Sequence, residues 1–324
     1  MDREQEEMQF LGFFGIFKES YKLIFSWRKT FSNITLALIL PMSFVYLVYT
    51  QIYSLFLSKF TSASYDKPSD LISYDWLYFW LFNAAYFTLF SIFSLFSTAA
   101  VVYSVACIYT DREVAFKKVM SVVPKVWRRL IVTFFSIFVA IFFYLVATVV
   151  VVLIWAVSLA PVHIAGFAVL AILVILFIVG FLYLTTIWHL ASTISVLEEA
   201  YGFRAMVKSK NLIKGKVWLA MSIFLVLNLA MGFNQIGFKR LVVEGSSGTG
   251  MGRRVVFGII FFLLLSTMIL FGLVIQTVIY FVCKSHHHEN IDKSALSDQL
   301  DFYLLGEYAP SKDKDCQLQV NQYK

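Results

Sequence analysis

From Leu130 to Leu197 the chain runs 68 residues without one Asp, Glu, Lys or Arg. A single helix of that length, rising about 1.5 Å per residue, would be about three times as long as a bilayer's hydrocarbon core is thick, so the run must turn back inside the membrane. Ser158-Leu-Ala-Pro-Val-His-Ile164 holds the run's only proline, Pro161, and its first histidine. It is expected to form a tight turn between two spanning helices. On this reading the hairpin organises the molecule, and the other segments attach to it or repeat it.

Composition agrees with a lipid environment. Of 324 residues 60% are hydrophobic and 15% charged, against about 25% charged in soluble domains. Transmembrane barrel strands alternate apolar and polar residues, and Ala147-Thr-Val-Val-Val-Val-Leu-Ile-Trp155 does not. The β-branched run Val149 to Val152 would favour a strand in water. In lipid each segment must satisfy its own backbone, so a helix is expected. The fold class read here is all-α, a polytopic membrane protein of six spans with three amphipathic juxtamembrane helices. Cys107, Cys283 and Cys316 imply no disulfide framework. The acidic opening Met1 to Glu7 is unlike a cleaved signal, so the first span is expected to serve as an uncleaved anchor.

Three parts follow: an arm over 1–30, a six-helix domain over 31–283 and a polar tail over 284–324. In the arm, Phe10, Phe13, Phe14, Phe17, Tyr21 and Ile24 recur at helical spacing opposite Gly15, Lys18, Glu19, Lys22, Ser26 and Lys29. That pattern predicts a helix lying on the membrane surface. Spans are expected at about 31–57 with a kink at Pro41, then 76–108, 130–158, 165–193, 217–237 and 255–283. Residues 111 to 129 carry a stripe of Phe116, Met120, Val123 and Trp127, with Pro124 expected to bend the helix or start a second short one. Residues 198 to 216 carry Phe203, Met206, Val207 and Ile213. Phe238 to Arg254 is expected to be a loop, flexible over Glu244 to Gly250, and Lys59 to Asp75 another.

A basic amphipathic segment thus precedes a pair of spans three times, each with a tryptophan at the junction: Trp27, Trp127 and Trp218. Lys125-Val-Trp127 matches Lys216-Val-Trp218. Three units of one design would give this pattern, and interfacial anchoring by Trp and Lys would give much of it as well. Orientation follows from charge: 21 of the 27 Lys and Arg fall on the side that holds both termini and all three amphipathic segments. The positive-inside rule places that side in the cytosol, which leaves the sequon Asn33-Ile-Thr35 silent.

No expected span contains a formal charge, unlike proton pumps and ion-coupled carriers, which keep ionisable groups near the midplane. Asn83, His189, Asn228 and Gln276 are the polar span candidates, read chiefly as interhelical hydrogen bonders. Cys283, His286, His287, His288 and Glu289 lack the spacing of a structural zinc site and read as a polar helix exit, so no metal or other cofactor is expected. No phosphate-cradling loop, nucleophile elbow or paired carboxylate stands out. The basic segments are the better candidates. Residues 109 to 129 have net charge +4 and residues 190 to 216 net +3. Lys117, Lys118, Lys125, Arg128, Arg129, Arg204, Lys208, Lys214 and Lys216 are the candidates for contact with membrane lipid, acidic head groups in particular. Nucleic acid is not an expected partner, since the cations lie at membrane interfaces and no RNA-binding signature is present. In the tail, Leu300 to Tyr308 is an apolar cluster suited to folding back on the bundle or to docking a protein partner.

Phe25-Ser-Trp-Arg-Lys29 leading into Ile34-Thr-Leu-Ala-Leu-Ile-Leu-Pro41, the block Lys117 to Arg129, and Tyr303-Leu-Leu-Gly-Glu-Tyr308 resemble an uncharacterised land-plant family of multi-pass membrane proteins. The resemblance covers nearly the whole chain and supplies no catalytic or binding residue. Some of its members carry a name suggesting association with polyadenylate-binding protein, which no residue feature here supports. The stretch Val196 to Gly215 is similar to a cytosolic helix of bacterial six-pass families, including membrane anchors of glycerophosphodiester phosphodiesterases. That likeness implies a membrane module without the phosphodiesterase domain. The function expected is a non-enzymatic scaffold or regulator of endomembranes, the endoplasmic reticulum among them. A carrier or channel for an uncharged or lipid-like substrate is the alternative, and an intramembrane lipid-modifying enzyme the third.

Overall fold

The architecture is described by a computed structural model covering residues 8, 10–63, 72–110, 116–158, 163–243 and 251–287. Outside the described residues lie Pro161 and its turn, Glu244 to Gly250, His288, Glu289, Cys316 and Leu300 to Tyr308. The chain forms α1 (Phe13–Ser26), α2 (Arg28–Ile34), α3 (Leu40–Ala63), α4 (Ile72–Tyr109) and α5 (Phe116–Ser158), followed by α6 (His163–Leu197), α7 (Phe203–Leu212), α8 (Val217–Phe238) and α9 (Met251–His286). Six stretches are long and apolar enough to cross a membrane: Arg28–Phe56, Leu77–Tyr109, Phe116–Ser158, Gly166–Leu197, Val217–Val243 and Gly252–His286. The protein is a multi-pass helical membrane protein.

Prolines shape these helices differently from a simple break. In a regular helix the Pro41 ring would collide with the carbonyl of Ala37 and leave it without a donor. The chain widens into a π turn over Thr35–Ile39 just before the proline, and this bulge joins α2 to α3 as one span. Pro124 neither ends a helix nor begins one, because α5 runs unbroken from Phe116 to Ser158. The buried face Val119, Val122, Val123, Val126 and Leu130 continues straight through the proline, and packing on both sides holds the helix across the missing bond. The second amphipathic segment is therefore the opening of the third span. A second π turn, Lys239–Val243, extends α8, so the expected loop from Phe238 to Arg254 is helical at both its ends.

The centre of the bundle is the second half of α9, where every residue from Val274 to Cys283 is at most 2% exposed. Helix α9 packs against α1, α3, α4, α6 and α8. Facing it, α4 buries the small-residue run Ser97-Thr-Ala-Ala-Val-Val-Tyr-Ser-Val-Ala-Cys107. Small side chains let helix backbones approach closely, which is how membrane helices gain packing energy. The charge-free hairpin is not the organising core. None of the most apolar window of α6 and 6% of that of α5 is buried, and Phe142, Phe143, Leu153, Ile154, Ile175 and Leu176 all face outward. Lipid solvates Leu and Phe as well as a protein interior does, so extreme hydropathy marks lipid exposure here and not burial.

Helix α1 also departs from a simple surface helix. Ile16, Ser20 and Leu23 are buried against the bundle, chiefly on α9, with the Phe17 ring 5.7 Å from that of Phe271. Phe10, Phe14, Tyr21 and Phe25 remain exposed on the outside. Its apolar surface is thus divided between the bundle and its surroundings.

Candidate functional site

The short helix α7 is held against the end of α6 by a closely fitted turn. Gly202 has φ +63°, a left-handed conformation that favours glycine. Its N–H donates to Thr133 Oγ1 at 2.8 Å, and Thr133 Oγ1 lies 2.7 Å from Ser195 Oγ. One hydroxyl of α5 thereby ties both sides of the α6–α7 turn. The buried face of α7 is Ala205, Ser209 and Leu212, and Ser209 Oγ donates to the Ile187 carbonyl of α6 at 3.0 Å. Small residues at this contact leave no room for the larger apolar ones. Of the apolar side read from the sequence, Phe203 and Val207 are 59% and 58% exposed, while Ile213 is buried.

The exposed side of α7 lines a concavity of about 700 Å³. Arg204, Lys208 and Asn211 contribute one polar wall, and Phe203, Val207 and Leu212 apolar surface. Lys214 and His287 also line it. Gly215, at φ +88°, makes the turn that brings them together. A Cβ there would stand 2.6 Å from His286 Nε2. The next residue, His287, places Nε2 3.1 Å from the Lys214 carbonyl, to which an Nε2–H donates.

Behind this wall is a buried polar clamp. Glu198, the first charge after the 68-residue run, accepts from Tyr280 Oη at 2.6 Å and from Lys284 Nζ at 3.3 Å on Oε1, while Oε2 pairs with Lys208 Nζ at 2.6 Å. Burial pushes this carboxyl's pKa up. The hydrogen bonds from Lys208 and Tyr280 and the charges of Lys284 and Lys208 outweigh it and hold the group below its ordinary value. Glu198 thus joins α6, α7 and α9, fixing one cation of the concavity and leaving Arg204 and Lys214 with no carboxylate partner among the described residues.

Other lipid-contact candidates sit elsewhere. Lys117, Lys118, Lys125 and Arg128 are exposed along the start of α5, and Arg129 is half-buried. Lys216 caps the start of α8, outside the concavity. The junction tryptophans share a position but not surroundings: Trp218 is 79% exposed and Trp27 37%, whereas Trp127 packs edge-on against Phe96 at 5.7 Å.

The polar span residues form separate contacts. Asn83 accepts from Tyr49 Oη at 2.8 Å and donates to the Phe79 carbonyl at 2.7 Å, inside a ladder where Tyr49 stacks on Tyr86 with centroids 3.8 Å apart. His189 Nδ1 lies 2.9 Å from Gln276 Oε1, and its ring stacks on Phe224 at 4.5 Å. Gln276 Nε2 is buried and has no partner among the described residues. Asn228 is exposed and donates back to the Phe224 carbonyl of its own helix at 2.8 Å. Asn234, not singled out from sequence, is the buried asparagine of α8 at 3% exposure. His189 and Gln276 thus bond to each other, and Asn83 and Asn228 bond within their own surroundings.

Fold and site together define a six-span helical membrane protein with a cation-lined concavity where its charged helix ends meet. The chain belongs to the family of a domain of unknown function, DUF8558, whose model matches residues 1–321. Comparisons with curated proteins and with solved structures gave no match.

Proposed function

We propose that this protein is a non-enzymatic integral membrane scaffold or regulator of the endomembrane system, whose basic end rests in the cytosolic leaflet and contacts acidic lipid or partners there. One observation carries this reading: on α1 and α7 exposed cations stand beside exposed apolar side chains, and on the opening turns of α5 exposed cations stand opposite an apolar face packed on the bundle. Lys18 and Lys22 accompany Phe14 and Tyr21; Arg204 accompanies Phe203 and Val207. Aromatic groups at head-group depth with Lys and Arg reaching phosphates are the composition of a membrane-surface contact, and each cation near an anionic leaflet contributes about 1 kcal/mol. Asn83 bonds to Tyr49 and Phe79 while His189 and Gln276 bond to each other, an arrangement that weighs against the carrier alternative, which needs a continuous polar path.

The test is to purify the full chain from mixed-lipid membranes and quantify retained acidic lipid by mass spectrometry. The K117Q/K118Q/R128Q/R129Q variant is expected to retain distinctly less. Equal retention would reject lipid contact by the start of α5.

A further inference from the structure

The concavity on α7 differs from the basic surface of α5, because its cations share one hollow with exposed apolar side chains. We propose that it is a binding site for a phosphomonoester head group carried on a lipid, a reading that rests on the acidic-lipid contact above and specifies its ligand. Arg204, Lys208 and Asn211 follow one another at steps of four and three along α7, so their side chains stack on one face, and Lys214 lines the same concavity of about 700 Å³. An arginine fork and flanking ammonium groups match a tetrahedral dianion that offers three terminal oxygens, and the Asn211 amide adds neutral donors.

Specificity comes from what is already satisfied. Glu198 holds Lys208 at 2.6 Å, so the wall is placed before any ligand arrives, while Arg204 and Lys214 have no competing carboxylate among the described residues. The choice of a lipid over a soluble phosphate follows from the walls. Phe203 and Val207 line the concavity and are more than half exposed, and Tyr201 and Trp218 are exposed nearby in the chain at 49% and 79%. A water-facing site for a free anion gains nothing from two bare apolar side chains in its wall, whereas a glycerol backbone and the first acyl carbons would cover them.

The test uses full-length protein in detergent, titrated with dioleoyl phosphatidic acid, with dioleoyl phosphatidylserine and, separately, with inorganic phosphate, and read by native mass spectrometry. Phosphatidic acid is expected to bind about tenfold more tightly than phosphatidylserine, the effect of one added charge-assisted hydrogen bond. R204Q/K214Q should erase that preference while K117Q/K118Q keeps it, and both variants should melt as the wild type does. A melting change in R204Q/K214Q moves the comparison to R204K, expected to weaken phosphatidic acid alone by losing the fork. Equal binding of the two lipids, both weakened by K117Q/K118Q, would overturn the site and leave acidic-lipid contact standing. Absence of any acidic-lipid adduct would overturn both. Inorganic phosphate displacing phosphatidic acid at equal concentration would overturn the lipid assignment.

Discussion

At the scale of single residues, Glu198 does most to fix the candidate site. Its carboxylate bridges Lys208, Tyr280 and Lys284, groups from two other helices. Glu198→Leu would leave Lys284, 19% exposed, without its counter-charge. Losing a buried partner of this kind costs about 3–5 kcal/mol. Lys208 is 40% exposed and partly screened, so a loss of about 2 kcal/mol is expected, read as a lower melting temperature in detergent. The pH dependence follows from the direction of its shift. A carboxyl held below its unfolded value stabilises the fold throughout the range above that value, about pH 4.3, and ceases to as pH falls through the folded one. Amide exchange of 203–212 should therefore be constant from pH 7 to about pH 5 after correction for intrinsic rates, and rise sharply only under more acid conditions. Gln276→Leu removes the bond to His189 and one orphaned amide, so a change of about 1 kcal/mol or less is expected, with acidic-lipid retention untouched. Arg204, Lys208 and Lys214 were legible as candidates because cations beside a span are expected to meet head groups. The role of Glu198 was not, since its partners are 10, 82 and 86 residues away. The signal available was position: a carboxylate directly ending a long uncharged run needs a cation.

At the scale of elements, α7 buries a side that amphipathic reading did not single out. Hydrophobicity marked Phe203, Met206, Val207 and Ile213 as the apolar side, of which Ile213 is buried, whereas Ala205 and Ser209 occupy the close contact with α6. Ala205→Leu should overpack this contact at about 1–3 kcal/mol, accelerating exchange in α7 while α9 stays protected. Ser209→Ala should do less, since it removes one bond without adding volume. The same distinction governs α4, whose buried run uses Ser, Thr and Ala, and the α5–α6 hairpin, whose Val, Leu and Phe are exposed. Hydropathy and charge found six long apolar helices, but placed the start of the third near 130 where the helix begins at Phe116. They missed the continuity of α5 through Pro124 and the π turn before Pro41, because both depend on packing across the proline.

At the scale of the whole molecule, the six-span helical class was readable from hydropathy alone, while the arrangement around α9 was not. In lipid the most apolar segment carries no instruction to be central, and the instruction lies in small residues. Everything proposed for the basic end depends on its facing the cytosolic leaflet. The direct measurement is cysteine accessibility in sealed vesicles of known orientation, with Cys107, Cys283 and Cys316 replaced by Ser and single cysteines placed at exposed Lys118, Lys210 or Arg240. Labelling of K118C and K210C from the cytosolic side only, and of R240C from the opposite side only, is expected. Labelling of K118C and K210C from the non-cytosolic side, or from different sides, would contradict the account.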